Sequence, residues 1–544
     1  MTREEYANML LPNCKHDRKY YEEKYPRRNL KEGAMVTRIG PSPTGFVHIG
    51  TLFQSVIATK LASQSNGVSY VRIEDTDQKR EIENGKEAIL KAVSDYDMPF
   101  TEGPILGGEY APYVQSERSD IYQAFAKDLI IRDLAYPSFI TEEELAKLTE
   151  EQAKLKQRIG YFGKWAAKER AYTMEEVAEK VKNGEPYTIR LKSQGDFENK
   201  VFIEDCIKGR VEFPENDMDS VILKSNGIPP YHFAHPVDDY LMGTTVVIRG
   251  EEWLSSVPLH LEIFKALGIE PIQYAHTSSI QKEEDGKRRK ISKRKDPEAN
   301  VEYYTRMGIP KEAVKLYLLT LANSNFEEWY LANPGVSTDE FKMTFEKMGG
   351  SGALFDTEKL NNIAKTFLST VSAKELYERI YAWAKIYDED FAKVIKANKE
   401  KTIATLNIER ETEKPRKDFA MYSEIKDLIW YMFDELYQPT SYEWGKITEK
   451  EEIKNILNTY IEKYYDENDN QEDWFNKVKL LCDDLGYASN MKEYKKNPEA
   501  FKGNVADVST VIRVAVTSKS RTPNLYDILQ ILGKEEIKKR IEHI

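Results

Sequence analysis

The sequence predicts an α/β protein built on a doubly wound parallel sheet, interrupted by an inserted α/β segment and followed by an all-α C-terminal half. Three observations predict it. A strand, turn, helix, strand order opens at Ala34; a stretch of mixed character separates it from a second group of strand-like runs; and beyond Pro297 the chain turns almost wholly helical, rich in Lys, Glu, Tyr and Leu. A length of 544 residues is also too great for one compact core and calls for two to four domains.

Residues 1–33 are polar, charged and tyrosine-containing, and read as a short helical or loosely ordered extension without chemistry of its own. From Met35 to Ile39 the chain is strand-like and runs into Gly40-Pro41-Ser42-Pro43-Thr44-Gly45, a turn-forming cluster. Ile49, Leu52, Phe53, Val56, Ile57 and Leu61 then recur at helical spacing, Asn66-Gly67 supplies a left-handed stop, and Val68, Tyr70, Val71 and Ile73 mark a second strand. This is a right-handed βαβ unit, the start of a Rossmann-like sheet. Residues 115–210 read as an insertion, with a charged helix at Glu142 to Lys156 and a strand at Tyr187 to Arg190. Sheet character returns at Ser220 to Leu223 and Thr245 to Ile248, flanking Asp238-Asp239.

Composition excludes several classes. No run approaches the roughly eighteen apolar residues of a membrane helix, and the N-terminus lacks a signal-peptide core. Cys14, Cys206 and Cys482 lie far apart in no zinc-binding spacing, which fits buried thiols in a reducing compartment and a cytoplasmic location. A net charge of -12 argues against indiscriminate adhesion to nucleic acid, so local patches must decide. The densest runs from Lys287 to Lys295, where seven of nine residues are cationic.

Two stretches carry chemistry. Between Gly40 and Gly50 the chain passes from strand to helix, where backbone amides and the positive helix end favour a polyphosphate. There His48 can donate to a phosphate oxygen and Gly50 lets an adenine approach the backbone. Neither GxxxxGK[ST] nor GxGxxG is present. Lys290 and Lys293 place two ammonium groups on a loop after Gly286 that could close over a developing pyrophosphate; read alone, the same run is a solvated surface loop.

Together and in this order, His48-Ile49-Gly50 and Lys290-Ile291-Ser292-Lys293-Arg294 resemble the HIGH and KMSKS signatures of class I aminoacyl-tRNA synthetases. Further stretches look like the glutamate-specific, bacterial-type group of that class. They are Thr37-Arg38-Ile39-Gly40-Pro41-Ser42-Pro43-Thr44-Gly45, Arg72-Ile73-Glu74-Asp75-Thr76-Asp77, Tyr231 through Trp253, and Val511-Ile512-Arg513-Val514-Ala515 with Asn524 through Leu529. The resemblance runs from about residue 34 to the C-terminus.

It implies ATP-dependent activation of L-glutamate to glutamyl-adenylate and transfer to the terminal adenosine of tRNA(Glu), with tRNA(Gln) an open second substrate. Arg38 and Arg249 would bind the glutamate carboxylates, assisted by Ser42, Glu74 and Tyr231. His48, Gly50, Thr51, Glu252, Trp253, Lys290 and Lys293 would bind ATP, and His48, Lys290 and Lys293 would act catalytically by charge. Mg2+ would be held mainly by the phosphates, without a protein metal site. The implied division is 1–33 extension, 34–114 and 211–296 Rossmann-like catalytic domain, 115–210 inserted acceptor-binding domain, 297–365 helical stem-contact region and 366–544 helical anticodon-binding domain. Arg416, Arg513 and Arg521 are anticodon candidates by charge and location alone, and each reads equally as part of a solvated helix surface. A monomer with no membrane partner is expected. Thr51 stands where the general signature has a second histidine, and His235 followed by Pro236 stands where a small polar residue is expected, which could reshape the amino-acid pocket. Tyr136-Pro137-Ser138-Phe139-Ile140 holds none of the cysteines of zinc-bearing bacterial relatives, so no structural zinc is expected. A glutaminyl-tRNA synthetase and a noncatalytic tRNA-binding paralogue are the alternatives; the helical tail speaks against the first and the His48, Lys290, Lys293 set against the second.

Overall fold

The computed structural model describes every residue except Lys293 and Ser351. The chain forms two compact units, Met1–Tyr303 with Lys315–Asp356, and Tyr304–Val314 with Thr357–Ile544. The first opens with α1 (Arg3–Leu10) and α2 (Arg18–Lys24). Loose order is not what these residues adopt. Thr2 and Glu5 form a capping box on α1, whose Tyr6, Ala7 and Leu10 are buried, and Arg28 grips Glu102 bidentately at 2.6 and 2.7 Å.

The parallel sheet follows. β1 (Val36–Ile39) and β2 (Val68–Val71) pair with Val36 opposite Val68, joined by α3 (Ile49–Gln64). The Thr37 hydroxyl donates to the Ala58 carbonyl at 2.8 Å, so α3 covers the Thr37 face of β1. At the return, Asn66 carries the left-handed turn at φ 55. Gly67 serves a different need: a Cβ there would stand 1.9 Å from the Met35 carbonyl oxygen.

The chain continues through α4 (Gly85–Asp95), α5 (Ser119–Ile131), β3 (Ala135–Ser138), α6 (Glu142–Lys154), α7 (Ala167–Arg170), α8 (Met174–Lys182) and β4 (Thr188–Leu191). A hairpin of β5 (Lys200–Asp205) and β6 (Gly209–Pro214) leads to β7 (Val221–Leu223). The sequence reading lets Ser220 to Leu223 resume the parallel sheet. The structure instead pairs β7 antiparallel with β4, in the order β3-β4-β7. Three apolar residues, Val221 half-buried and Ile222 and Leu223 buried, suit either sheet, and periodicity alone cannot choose.

Through α9 (Tyr231–Leu241), β8 (Val246–Gly250), α10 (Val257–Leu267) and β9 (Gln273–Thr277) the chain rejoins the parallel sheet. The Thr245 amide donates to the Val36 carbonyl at 2.9 Å and its hydroxyl accepts from the Val36 amide at 2.8 Å, which seats β8 beside β1. Val36, Tyr70, Val247 and Tyr274 share a core with Phe233, Val237 and Phe264, so α9 and α10 lie on the face opposite α3. Helices thus cover both faces, and side chains at the carboxyl ends of β1 and β8 meet in the crevice such sheets offer to ligands.

Beyond it, β10 (Ile280–Glu284) and β11 (Lys287–Lys290) form a hairpin turned by Asp285 and Gly286 at φ 53 and 72. Two consecutive positive φ values match a type I′ turn. The basic run expected as a loop is therefore a strand as far as Lys290. The second unit is helical, its core drawn from Leu376, Ile380, Phe391, Ile456, Val478, Val511, Ile512 and Ile528.

Candidate active site

Arg38 at the end of β1 and Arg249 at the end of β8 line one cleft of about 420 Å³. Ser42, His48, Gly50, Thr51, Glu74, Tyr231, Glu252, Trp253 and Lys290 line it too, so every described residue that the sequence assigned to glutamate or ATP meets there. Lys293 lies outside the described residues.

At the arginine end, charge is arranged asymmetrically. Arg38 donates to Asp239 at 3.1 and 3.4 Å, and Arg72 donates to Asp239 at 2.7 Å and to Glu74 at 2.9 Å. Arg118 donates to Asp238 at 2.7 Å. Burial alone would raise the Asp239 carboxyl, but Arg38, Arg72 and His235 hold it well below its ordinary value. For Glu74 burial prevails over the two arginines and its carboxyl is pushed up.

Arg249, only 3% exposed, is different. Its Nε donates to His276 Nε2 at 3.0 Å, one Nη donates to the Tyr231 hydroxyl at 3.0 Å, and both Nη lie 3.4 Å from His260 Nδ1. Among the described residues no carboxylate pairs with it. The imidazoles add no negative charge: burial first, and then repulsion from Arg249, holds His232 and His260 below their ordinary value, and burial outweighs Asp205 at His276. His235, also buried, is held down at about 3. Arg38, Arg72 and Arg118 are thus bonded directly to Glu74, Asp238 and Asp239, whereas Arg249 reaches a carboxylate, Asp205, only through His276. A buried cation without a counter-ion is costly, and a guanidinium fork in this setting is suited to a carboxylate ligand.

His235 does not line the cleft. It stands beneath Arg38 on α9, bonded to Asp239 and, at 2.9 Å, to the Tyr274 hydroxyl. The wall above is aromatic, with Tyr231 and Trp253 ring centroids 4.4 Å apart.

At the other end, His48 caps α3, its Nδ1 accepting from the Gly50 amide at 3.0 Å. The Val301 amide donates to the Val47 carbonyl at 3.0 Å and His48 bridges Asn300, so the chain just past the basic run is pinned to the start of α3. Lys290 Nζ lies 3.6 Å from the Glu252 carboxylate. Asp296 accepts from Arg289 at 2.7 and 2.8 Å and from the Ser292 amide at 2.7 Å, and Arg289 holds its carboxyl down at about 2. A helix N-terminus with a lysine opposite it favours phosphate groups.

Two family models match this chain. The catalytic domain of the class I tRNA synthetases (E and Q) matches residues 34–362, and an anticodon binding domain matches residues 375–544. The chain belongs to the class I tRNA synthetases. It is 47% identical over 549 residues to a glutamate–tRNA ligase of Clostridium beijerinckii, covering 100% of this chain and 99% of that one. A glutamate–tRNA ligase of Acetivibrio thermocellus is 45% identical, covering 99% of each. Among solved structures, a glutamate tRNA ligase from Elizabethkingia meningosepticum in complex with its amino acid superposes with a TM-score of 0.76 at 26% identity, covering 94% of this chain and 99% of that one.

Sequence reasoning about this synthetase missed Asp205, His260 and His276, and it saw Asp238-Asp239 without their arginine partners. Asp205, His260 and His276 sit in three separate elements, so no spacing could have joined them. Of the candidates in the second unit, one Nη of Arg513 donates to Thr522 and to the Pro523 carbonyl at 2.8 Å, and Arg416, bonded to Glu409 and Asp418, lines a cleft of about 400 Å³ with Arg521. Among the described residues no group of three or more His, Cys, Asp or Glu is placed to hold a metal, and no helix is long and apolar enough to cross a membrane. The three cysteines are free thiols.

Proposed function

We infer that this chain is a glutamate–tRNA ligase that activates L-glutamate with ATP and esterifies the terminal adenosine of tRNA(Glu). The observation that carries the reading is the convergence of an anion-seeking pocket at Arg249 with the capped end of α3 and Lys290 in one cleft. Full-length similarity to glutamate–tRNA ligases supports the same reading.

In this reading Arg249 takes one glutamate carboxylate and Arg38 the other, Glu74 takes the ammonium group, and Tyr231 and Ser42 complete the pocket. The adenine lies against Gly50, the ribose meets Glu252 and Trp253, and the triphosphate lies between His48, Thr51, Lys290 and Lys293. A glutamate carboxylate oxygen attacks the α-phosphorus in line; the bond to the β-phosphate oxygen breaks, and pyrophosphate leaves. His48, Lys290 and Lys293 oppose the negative charge that builds on the leaving group and exchange no protons. Of the cleft carboxylates Glu74 is shared between Arg72 and the glutamate ammonium group, leaving Glu252 at the rim, a donor set that fits Mg2+ carried on the phosphates rather than in a protein cage. That ion supplies charge neutralisation. The 2′ hydroxyl of the terminal adenosine then attacks the adenylate carbonyl carbon, and AMP leaves.

The inserted segment, 115–210 with β7, would hold the acceptor end, 297–365 the stem, and 366–544 the anticodon. The chain would work as a monomer in the cytoplasm. Pyrophosphate exchange into ATP, measured on the full chain with glutamate or glutamine, with and without tRNA(Glu), tests the reading. Exchange is expected with glutamate alone among the two amino acids; none under any condition would overturn it.

A further inference from the structure

Arg249 owes its aim to residues outside the cleft. Its Nε donates to His276 Nε2 at 3.0 Å, and His276 Nδ1 lies 2.6 Å from Asp205 Oδ2. All three side chains are buried, Asp205 and Arg249 at 3% exposure and His276 at 0%. A carboxylate only accepts, so the proton of His276 must sit on Nδ1; Nε2 is then a lone pair, able to accept from Arg249. The alternative tautomer would set two N–H groups against each other. Asp205 is itself fixed: its Oδ1 accepts the Ile207 and Lys208 amides at 3.0 and 2.9 Å. Lys208 anchors the same turn to Glu251 and to Ser278, each at 2.7 Å. The turn between β5 and β6 therefore buttresses the ends of β8 and β9 from behind.

We propose that Asp205 and His276 are positioning residues of the carboxylate pocket: Asp205 fixes the His276 tautomer, and His276 holds the Arg249 fork toward the ligand. The arrangement is that of a metal-bound histidine oriented by an outer carboxylate, with a guanidinium in place of the metal. It rests on the proposed glutamate site, and neither residue touches the substrate.

The tautomer argument gives a test that simple loss of packing does not. Asp205→Asn can both donate and accept, so it no longer dictates the tautomer. His276→Gln places an amide oxygen near the Nε2 position and needs no tautomer at all. In the otherwise intact full chain, Asp205→Asn is expected to raise the KM for glutamate by on the order of 10- to 100-fold, with kcat, the KM for ATP and the melting temperature nearly unchanged. His276→Gln is expected to rescue most of it: added to that background, it should make the Asp205→Asn change nearly silent. Glutamate affinity measured directly by calorimetry should follow the same order, independent of turnover. An unchanged glutamate KM in a folded Asp205→Asn variant would overturn the proposal. So would a parallel loss of kcat, ATP KM and melting temperature, which marks a merely structural role. Failure of the wild-type chain to exchange with glutamate would instead strike the functional reading itself.

Discussion

Arg38 and Arg249 are both buried, yet they stand in opposite electrical positions, and the difference makes separable predictions. Arg38 is matched by Asp239, so Arg38→Met strands part of a buried carboxylate network; breaking such a pair costs about 3–5 kcal/mol, and the melting temperature should fall clearly. Arg249 has only neutral partners. Arg249→Met removes an uncompensated buried cation, so melting should stay level or rise, while glutamate-dependent exchange should drop by more than about 100-fold in kcat/KM. Thermal melts of the two variants side by side check the contrast; a large loss of stability at Arg249 would refute the counter-ion count. Both arginines were legible in the sequence because each lies in a recognisable motif. That Arg249 lacks a direct counter-ion was not, because the neutrality of its partners depends on His260 and His276 arriving from α10 and β9.

At the level of elements, the β10–β11 hairpin turns a run of cations into a positioned one. The sequence offered only Gly286 as the start of a loop; the positive φ at both Asp285 and Gly286 makes it a tight turn with a strand on each side. What the run of charges hid is that Arg289 is not solvated but committed to Asp296, which also takes the Ser292 amide. Charge density alone says nothing about such pairing, just as three apolar residues at β7 could not announce their sheet, and the polar first helices could not announce that Tyr6 and Leu10 were core. Asp296→Asn weakens this staple where it borders Lys290, and should lower the rate of adenylate formation about tenfold with the glutamate KM unchanged, since the carboxylate pocket lies at the other end of the cleft. Single-turnover adenylate formation separates the two; a glutamate KM that rises while the rate holds would contradict the assignment of the hairpin to the phosphate end.

For the whole molecule, the distribution of histidines makes the two units respond differently to acid. His235, His260 and His276 are fully buried in the first unit, and burial holds all three below the ordinary value, His235 at about 3. Once unfolded they titrate near 6.5, so as pH falls through that value the unfolded chain takes up protons that the folded unit refuses until far lower. Their stabilisation is thus complete above about pH 6.5 and drains as pH falls toward the folded values. Glu74, pushed up in the folded state, works in the opposite direction but is a single group. In the second unit the one histidine is His543, which is exposed, so that unit has no buried imidazole to refuse a proton. Scanning calorimetry of the intact chain from pH 7 to 5.5 should show the transition of the first unit moving down further than that of the second. If both shift equally, or neither does, then burial does not hold the imidazoles around Arg249 neutral, and His276, without a lone pair on Nε2, could not accept from Arg249 as the pocket requires.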